Sequence, residues 1–250
     1  MYIDTEGIIL KQIKTVNGRR MVLLFSKKYG KISAGTSISE KGRSKSALAM
    51  RPFTYGRYEL YKNRDSYNIN GADVIKSYYK IGEDVEKYMY CSYVLEFTEK
   101  LIQEDAAAPQ IFNMVIDFFD VMEKRSKKYD TLTLAYQVKA LQLSGIMPNI
   151  TQCVSCGCPD KIVAFDVKNG GILCEKCFAQ AEKTANHTLI FTINFGIVGI
   201  LKYILENPIK SFENLAIGET SLKILKEIMK SYVAYHLDIS NLKSENFLIE

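Results

Sequence analysis

Five of the six cysteines in this 250-residue chain fall between Thr151 and Phe178, in the string TQCVSCGCPDKIVAFDVKNGGILCEKCF. Cys153 and Cys156 form one C-x2-C pair, Cys174 and Cys177 form another, and 17 residues separate them. That spacing is the one expected of a four-thiolate zinc site. Two residues between thiols let a tight turn aim both sulfurs at one ion, and a second turn returned by a short hairpin completes a tetrahedron. Gly157 after the first pair and Gly170-Gly171 before the second suit such turns, because glycine accepts positive φ. Four protein sulfurs leave the ion no open position, so the site reads as structural Zn2+ and not as a catalytic centre. Such an ion supplies roughly 10–16 kcal/mol of apparent binding free energy at neutral pH, enough to hold a segment with almost no core.

The competing reading is a redox dithiol or a disulfide pair. A redox C-x2-C opens a helix after a strand, whereas both pairs here are read on glycine-bearing turns. Cys158 is a fifth thiol, read as a spectator, and Cys91 lies in an apolar helical pattern that suits a buried, inert thiol.

The elements around the cysteines change character near residue 80. Before it the pattern has period two, with β-branched and aromatic residues between turn signals. It predicts strands over Thr5–Thr15, Arg20–Ser26, Lys31–Ser37, Phe53–Tyr61 and Ser66–Val74, with Asn17-Gly18 as a hairpin turn. Five short strands suggest a small Greek-key barrel of the OB type, and an SH3-like barrel would give almost the same string. Between the third and fourth strands, SEKGRSKSALAMR (39–51) reads as a mobile basic connector. Phe25, Tyr29, Phe53, Tyr55, Tyr58 and Tyr61 offer stacking surfaces, although most are expected in the barrel core.

After residue 80 the period is helical, over Gly82–Gln103, from Pro109 through Met122, and over Thr131–Ser144. The cysteine segment follows, with Ile162–Val167 as a hairpin strand, and then helices over Asn194–Leu205 and Ser221–Leu237. The fold class is therefore α+β multidomain. Residues 1–80 are expected as a nucleic-acid-binding barrel and 81–250 as a helical domain with a zinc ribbon inserted at about 150–180. The last ten residues, NLKSENFLIE, read as a partly ordered tail.

Charge divides at the same place. Residues 1–80 carry 16 Lys and Arg against 6 Asp and Glu, a net +10, and the remainder carries 17 against 22. A basic module on a mildly acidic support suggests a polyanion partner for the first part. No apolar run approaches the ~18 residues of a membrane span, and the N-terminus lacks a secretory pattern, so the cytoplasm is the expected location. There is no Walker loop, no G-x-G-x-x-G after a strand and no H-E-x-x-H. His187 and His236 are the only histidines, and both read as structural or solvated. A binding protein, not an enzyme, is the expectation.

An ordered set of short motifs spans nearly the whole chain. It runs from Gly7-Ile8-Ile9-Leu10 through Tyr29-Gly30-Lys31 to Lys41-Gly42-Arg43-Ser44-Lys45-Ser46 and Arg51-Pro52-Phe53. It continues with Tyr88, Tyr93, Gly145-Ile146-Met147-Pro148 and the two cysteine pairs. In this the chain resembles the RecO family of bacterial recombination mediators, except that Ala47 stands where a further base is expected. The resemblance implies an OB-fold, a helical domain, and in many members a zinc ribbon. It also implies binding of single- and double-stranded DNA, annealing of complementary strands, and cooperation with RecR in loading RecA onto DNA coated with single-strand-binding protein.

Phosphate contacts are expected from Lys14, Arg19, Arg20, Lys27, Lys28, Lys31, Lys41, Arg43, Lys45 and Arg51. The family's site for the acidic, hydrophobic-ended tail of single-strand-binding protein is associated with the helical domain. Lys124, Arg125, Lys127 and Lys128 form the dense basic run there and are its candidate rim. The alternatives are an RNA-binding or transcription-associated zinc-ribbon protein, a zinc-dependent hydrolase or nuclease, and a purely structural interaction hub.

Overall fold

Period-two burial in the first third of the chain closes it into a barrel. β1 (Tyr2–Lys14), β2 (Arg20–Ser26), β3 (Gly30–Thr36), β4 (Thr54–Lys62) and β5 (Tyr67–Ser77) pair in the order β1-β2-β3-β5-β4, and β1 meets β4 to complete the ring. Every pair is antiparallel except β3 with β5. Leu24, Ile32, Tyr58, Leu60 and Ile69 fill the interior. The computed structural model describes residues 1–14, 20–39, 41–64, 66–183 and 189–248; the Asn17-Gly18 turn, Arg19 and His187 lie outside the described residues.

The basic connector between β3 and β4 is not wholly a tether. Its second half forms a short helix, α1 (Lys45–Ala49), which starts where the Ser44 hydroxyl accepts the Ala47 N–H at 3.1 Å. Ala49 and Met50 join the barrel core, and the buried Tyr58 hydroxyl donates to the Ala49 carbonyl at 2.7 Å. Burial of Ala47, Ala49 and Met50 outweighs the local tendency of Ser, Gly and Lys toward loop.

The helix expected over Gly82–Gln103 is two helices, α2 (Tyr79–Glu83) and α3 (Val85–Leu101). Asp84 is extended, and its carboxylate accepts the Lys87 N–H at 3.0 Å, so it restarts the helix as an N-cap. α4 (Pro109–Lys124) has proline in its first turn, where a missing N–H costs nothing. Phe112 on α4 meets Phe25 and Tyr55 edge-on, at 5.2 and 5.9 Å between ring centroids, and ties that helix to the barrel.

Packing groups the chain into two units, Met1–Arg125 with Leu242–Glu250, and Ser126–Asn241. In the first, the expected tail is instead a 3-10 turn, Lys243–Phe247, packed on α3. The second contains α5 (Tyr129–Leu143), β6 (Ile162–Asp166), β7 (Gly171–Cys174), α6 (Glu175–Ala181), β8 (Ile190–Thr192), α7 (Phe195–Glu206) and α8 (Glu219–Leu237). α5 is buried on nearly all sides, through Leu132, Leu134, Tyr136, Val138 and Leu141. β6 lies centrally in a three-stranded sheet of order β7-β6-β8. Among the described residues no helix is long and apolar enough to cross a membrane.

Candidate metal centre and nucleic-acid interface

The four cysteines singled out by their spacing come together. The sulfurs of Cys153, Cys156, Cys174 and Cys177 lie within 4.8 Å of one another, and those of Cys156 and Cys174 are 3.6 Å apart. Tetrahedral zinc with Zn–S bonds of about 2.3 Å needs sulfurs about 3.8 Å apart, so the cluster has the dimensions to hold such an ion. None of the four is in a disulfide.

The first pair sits on a glycine-bearing turn. Gly157 takes φ of 74° and donates to the Cys153 carbonyl at 2.9 Å, while the Cys153 N–H donates to the Cys158 carbonyl at 2.8 Å. Cys158 thus serves the turn through its backbone, and its thiol stands outside the cluster of four. The second pair differs from the expectation of a second glycine turn. Cys174 ends β7 and is the N-cap of α6, which carries Cys177, while Gly170 with φ of 71° shapes the preceding β6–β7 connection. A strand-to-helix junction is also the setting of redox dithiols, and convergence of a second thiol pair on it is what favours metal.

Electrostatics within the cluster favour a cation. Burial raises the Cys153 thiol, but N–H donors from Cys174, Cys156 and Ser155 outweigh it and bring it down to about 6. Hydrogen bonding with Cys156, followed by burial, pushes Cys177 up to about 12. Thiolates this close repel one another, and a divalent ion removes that obstacle.

Close backbone approach fixes the first turn against the hairpin. Ile172 donates to the Asn149 carbonyl at 3.0 Å and Val154 to the Ile172 carbonyl at 2.9 Å. A Cβ on Gly171 would collide with that Asn149 carbonyl and stand 2.6 Å from Val154 Cγ1. On the other side α8 holds the sheet. His236 Nε2 is 2.7 Å from the Val167 carbonyl, and the Tyr232 hydroxyl donates to the Ile146 carbonyl at 3.1 Å.

The basic residues expected at phosphates fall into two groups. Lys27 pairs with Glu6 at 2.8 Å, Lys28 pairs with Asp4 at 3.1 Å, and Lys31 donates to the Glu99 carbonyl at 2.8 Å. Lys41, Arg43, Lys45 and Arg51 are exposed on and beside α1, and among the described residues no carboxylate pairs with Lys41, Arg43 or Lys45. Arg20 is exposed at the start of β2, and Lys14 ends β1. Of the aromatics, Phe25, Phe53 and Tyr58 are buried, and Tyr29, Tyr55 and Tyr61 are half-buried. In the run from the last residue of α4 onward, Lys124 and Lys127 are exposed, Arg125 is only 5% exposed, and Lys128 lies 3.9 Å from Glu219.

Beside α1 lies a groove of about 710 Å³ that Lys45 and Arg51 share with Leu48, Pro52, Asp73 and Tyr79. Tyr79 was not singled out by the sequence pattern. Tyr78 and Tyr79 stand side by side where the period changes, and only packing shows the first buried and the second 62% exposed.

The chain matches the family Recombination protein O N terminal over residues 1–78 and Recombination protein O C terminal over residues 82–246. It is 29% identical to a DNA repair protein RecO of Alkaliphilus metalliredigens, covering 98% of this chain and 97% of that protein. It is 25% identical to one of Acetivibrio thermocellus, over 95% and 92% of the two chains, and 26% identical to one of Halalkalibacterium halodurans, over 99% and 94%. The chain belongs to the RecO family of DNA repair proteins, which act as mediators and not as catalysts.

Proposed function

We propose that this protein binds single- and double-stranded DNA, anneals complementary strands and, with RecR, helps load RecA onto DNA coated with single-strand-binding protein. The observation that carries the reading is the set of exposed cations, Lys41, Arg43, Lys45 and Arg51, on and beside a helix seated in a closed barrel. The β1-β2-β3-β5-β4 order with a helix between β3 and β4 supports the OB-type reading, and the family match over residues 1–78 supports the barrel as a module of its own. With a net +10 in residues 1–80, it would neutralise phosphates on two strands and lower the repulsion that opposes annealing. Lys14, Arg19, Arg20, Lys27, Lys28 and Lys31 would add to that field.

The Cys153, Cys156, Cys174 and Cys177 thiolates would hold zinc, whose contribution is to fold the segment, with no open position for chemistry. Of the run Lys124, Arg125, Lys127 and Lys128, the three lysines would rim a site for the acidic tail of single-strand-binding protein, since Arg125 is buried. The reading locates the protein at the nucleoid in the cytoplasm, where thiols stay reduced.

The test is the annealing rate of complementary strands coated with single-strand-binding protein, with and without this protein, across a salt series. Acceleration that fades as salt rises is expected. No acceleration on either coated or naked strands would refute the reading.

A further inference from the structure

We infer that the groove between α1 and the start of α2 holds one unstacked nucleotide of a DNA single strand, with its base against Tyr79 and its phosphates against Lys45 and Arg51. This rests on the DNA-binding reading above and assigns it a place where bases, and not only phosphates, are held.

Three observations meet in the groove. Its volume of about 710 Å³ lies within the range of small-molecule pockets and suits a nucleotide with room for its backbone to pass. Its lining combines two cations with the apolar surfaces of Leu48 and Pro52, the pairing that a phosphate joined to a flat base requires. Tyr79 brings an aromatic ring, 62% exposed, to the same lining, although its neighbour Tyr78 is fully buried and donates to Asp120 at 2.7 Å. The Tyr78 N–H also donates to the Phe53 carbonyl at 3.0 Å, which fixes the backbone just before Tyr79, so the ring stands on a held support. The other wall is equally held, because α1 is tied to the barrel core through the bond from Tyr58 to Ala49.

Asp73 also lines the groove and offers hydrogen-bond acceptors there. A nucleobase brings amine and imide donors that a carboxylate accepts. A duplex offers no base face to the ring, since its bases are stacked and paired until pulled out at a cost of a few kcal/mol. The groove therefore selects single strands, while the remaining cations of the barrel serve both forms of DNA.

The experiment is fluorescence anisotropy of a labelled 12-nucleotide single strand of mixed sequence and of its duplex, with the full-length protein over a salt series. Tyr79→Ala should weaken single-strand binding by roughly 5- to 100-fold, leave duplex binding unchanged, and leave the salt dependence as in the wild type, because stacking releases no counterions. Tyr79→Phe should bind as the wild type does. Thermal melting should be the same for all three proteins, since the side chain is exposed.

Wild-type single-strand binding by Tyr79→Ala would overturn the nucleotide site while leaving the DNA-binding reading intact. Equal losses for single strand and duplex would overturn it too, because the contact would then be to the backbone. A labelled peptide of aspartates ending in phenylalanine that binds the wild type but not Tyr79→Ala, with DNA binding unaltered, would assign the groove to protein and overturn it as well. If the wild type bound neither form of DNA, both readings would fall together.

Discussion

Glu96 accepts the backbone N–H groups of Lys243 at 3.0 Å and Ser244 at 2.8 Å, so a residue within α3 caps a 3-10 turn 147 and 148 residues further along the chain. Burial raises the Glu96 carboxyl, but the donors from Ser244 and Lys243 outweigh it and hold it below its ordinary 4.5. A depressed carboxyl contributes stability that is fully present above pH 4.5 and is lost as pH falls through the lower folded value. Glu96→Ala should cost about 1 kcal/mol at neutral pH. Melting of wild type and variant, followed downward from pH 7, should show this gap closing below 4.5. A gap that stays constant to pH 3 would refute the cap.

The cysteine cluster should bind one zinc per chain, measurable by release to a colorimetric chelator. Cys174→Ser should abolish stoichiometric binding and lower the melting temperature of the Ser126–Asn241 unit, while Cys158→Ser should keep the metal. Binding displaces thiol protons, so apparent affinity should weaken by at least about tenfold per pH unit on acidification, until no further proton is taken up. Full retention of metal by Cys174→Ser would refute the assignment.

Two glycines give a matched comparison. Gly171→Ala places a methyl against the Asn149 carbonyl and Val154, which should cost on the order of 1–3 kcal/mol and loosen the first cysteine turn. Gly82→Ala meets nothing within 4 Å, lies in α2, and should be neutral or stabilising by about 0.5–1 kcal/mol. Denaturant titration of both variants tests the contrast, and similar effects at the two sites would contradict it.

Neutralising Lys41, Arg43 and Lys45 together should reduce the slope of log affinity against log salt by about 2 for a single strand, at about 0.7 per lost contact. Lys27→Ala and Lys28→Ala should change it less, because Glu6 and Asp4 already meet those ammonium groups. Equal effects from the two sets would mean that the α1 region is not the main phosphate contact.

The cysteine cluster was legible because thiol spacing is itself the code for such a site. Less legible was that Cys174 opens a helix, although Glu175–Ala181 contains no glycine and is made of residues a helix tolerates. The glycines seen before the second pair shape the hairpin instead. The barrel could be read from its alternation, but not the docking of α1. The run 39–51 is basic and serine-rich, and only contact with Tyr58, Ala49 and Met50 reveals that part of it belongs to the core.

Ala47 illustrates the same limit. It stands where a further base is expected, and it is 1% exposed, so a charge there would face the interior. Arg125, read as part of a surface run, is buried for reasons that lie in its neighbours and not in its own sequence context. The seating of residues 243–247 on Glu96 joins segments 147 and 148 residues apart in sequence, which no local pattern can encode.

That seating has a bearing on the order in which the molecule is made. Synthesis passes the barrel and α3 and then the whole Ser126–Asn241 unit before it reaches the turn that Glu96 caps. The unit begun first is therefore finished last. A ribosome that stops short at about residue 240 yields a chain with every cysteine and every barrel strand, whose lesion lies in the half of the molecule that carries the N-terminus.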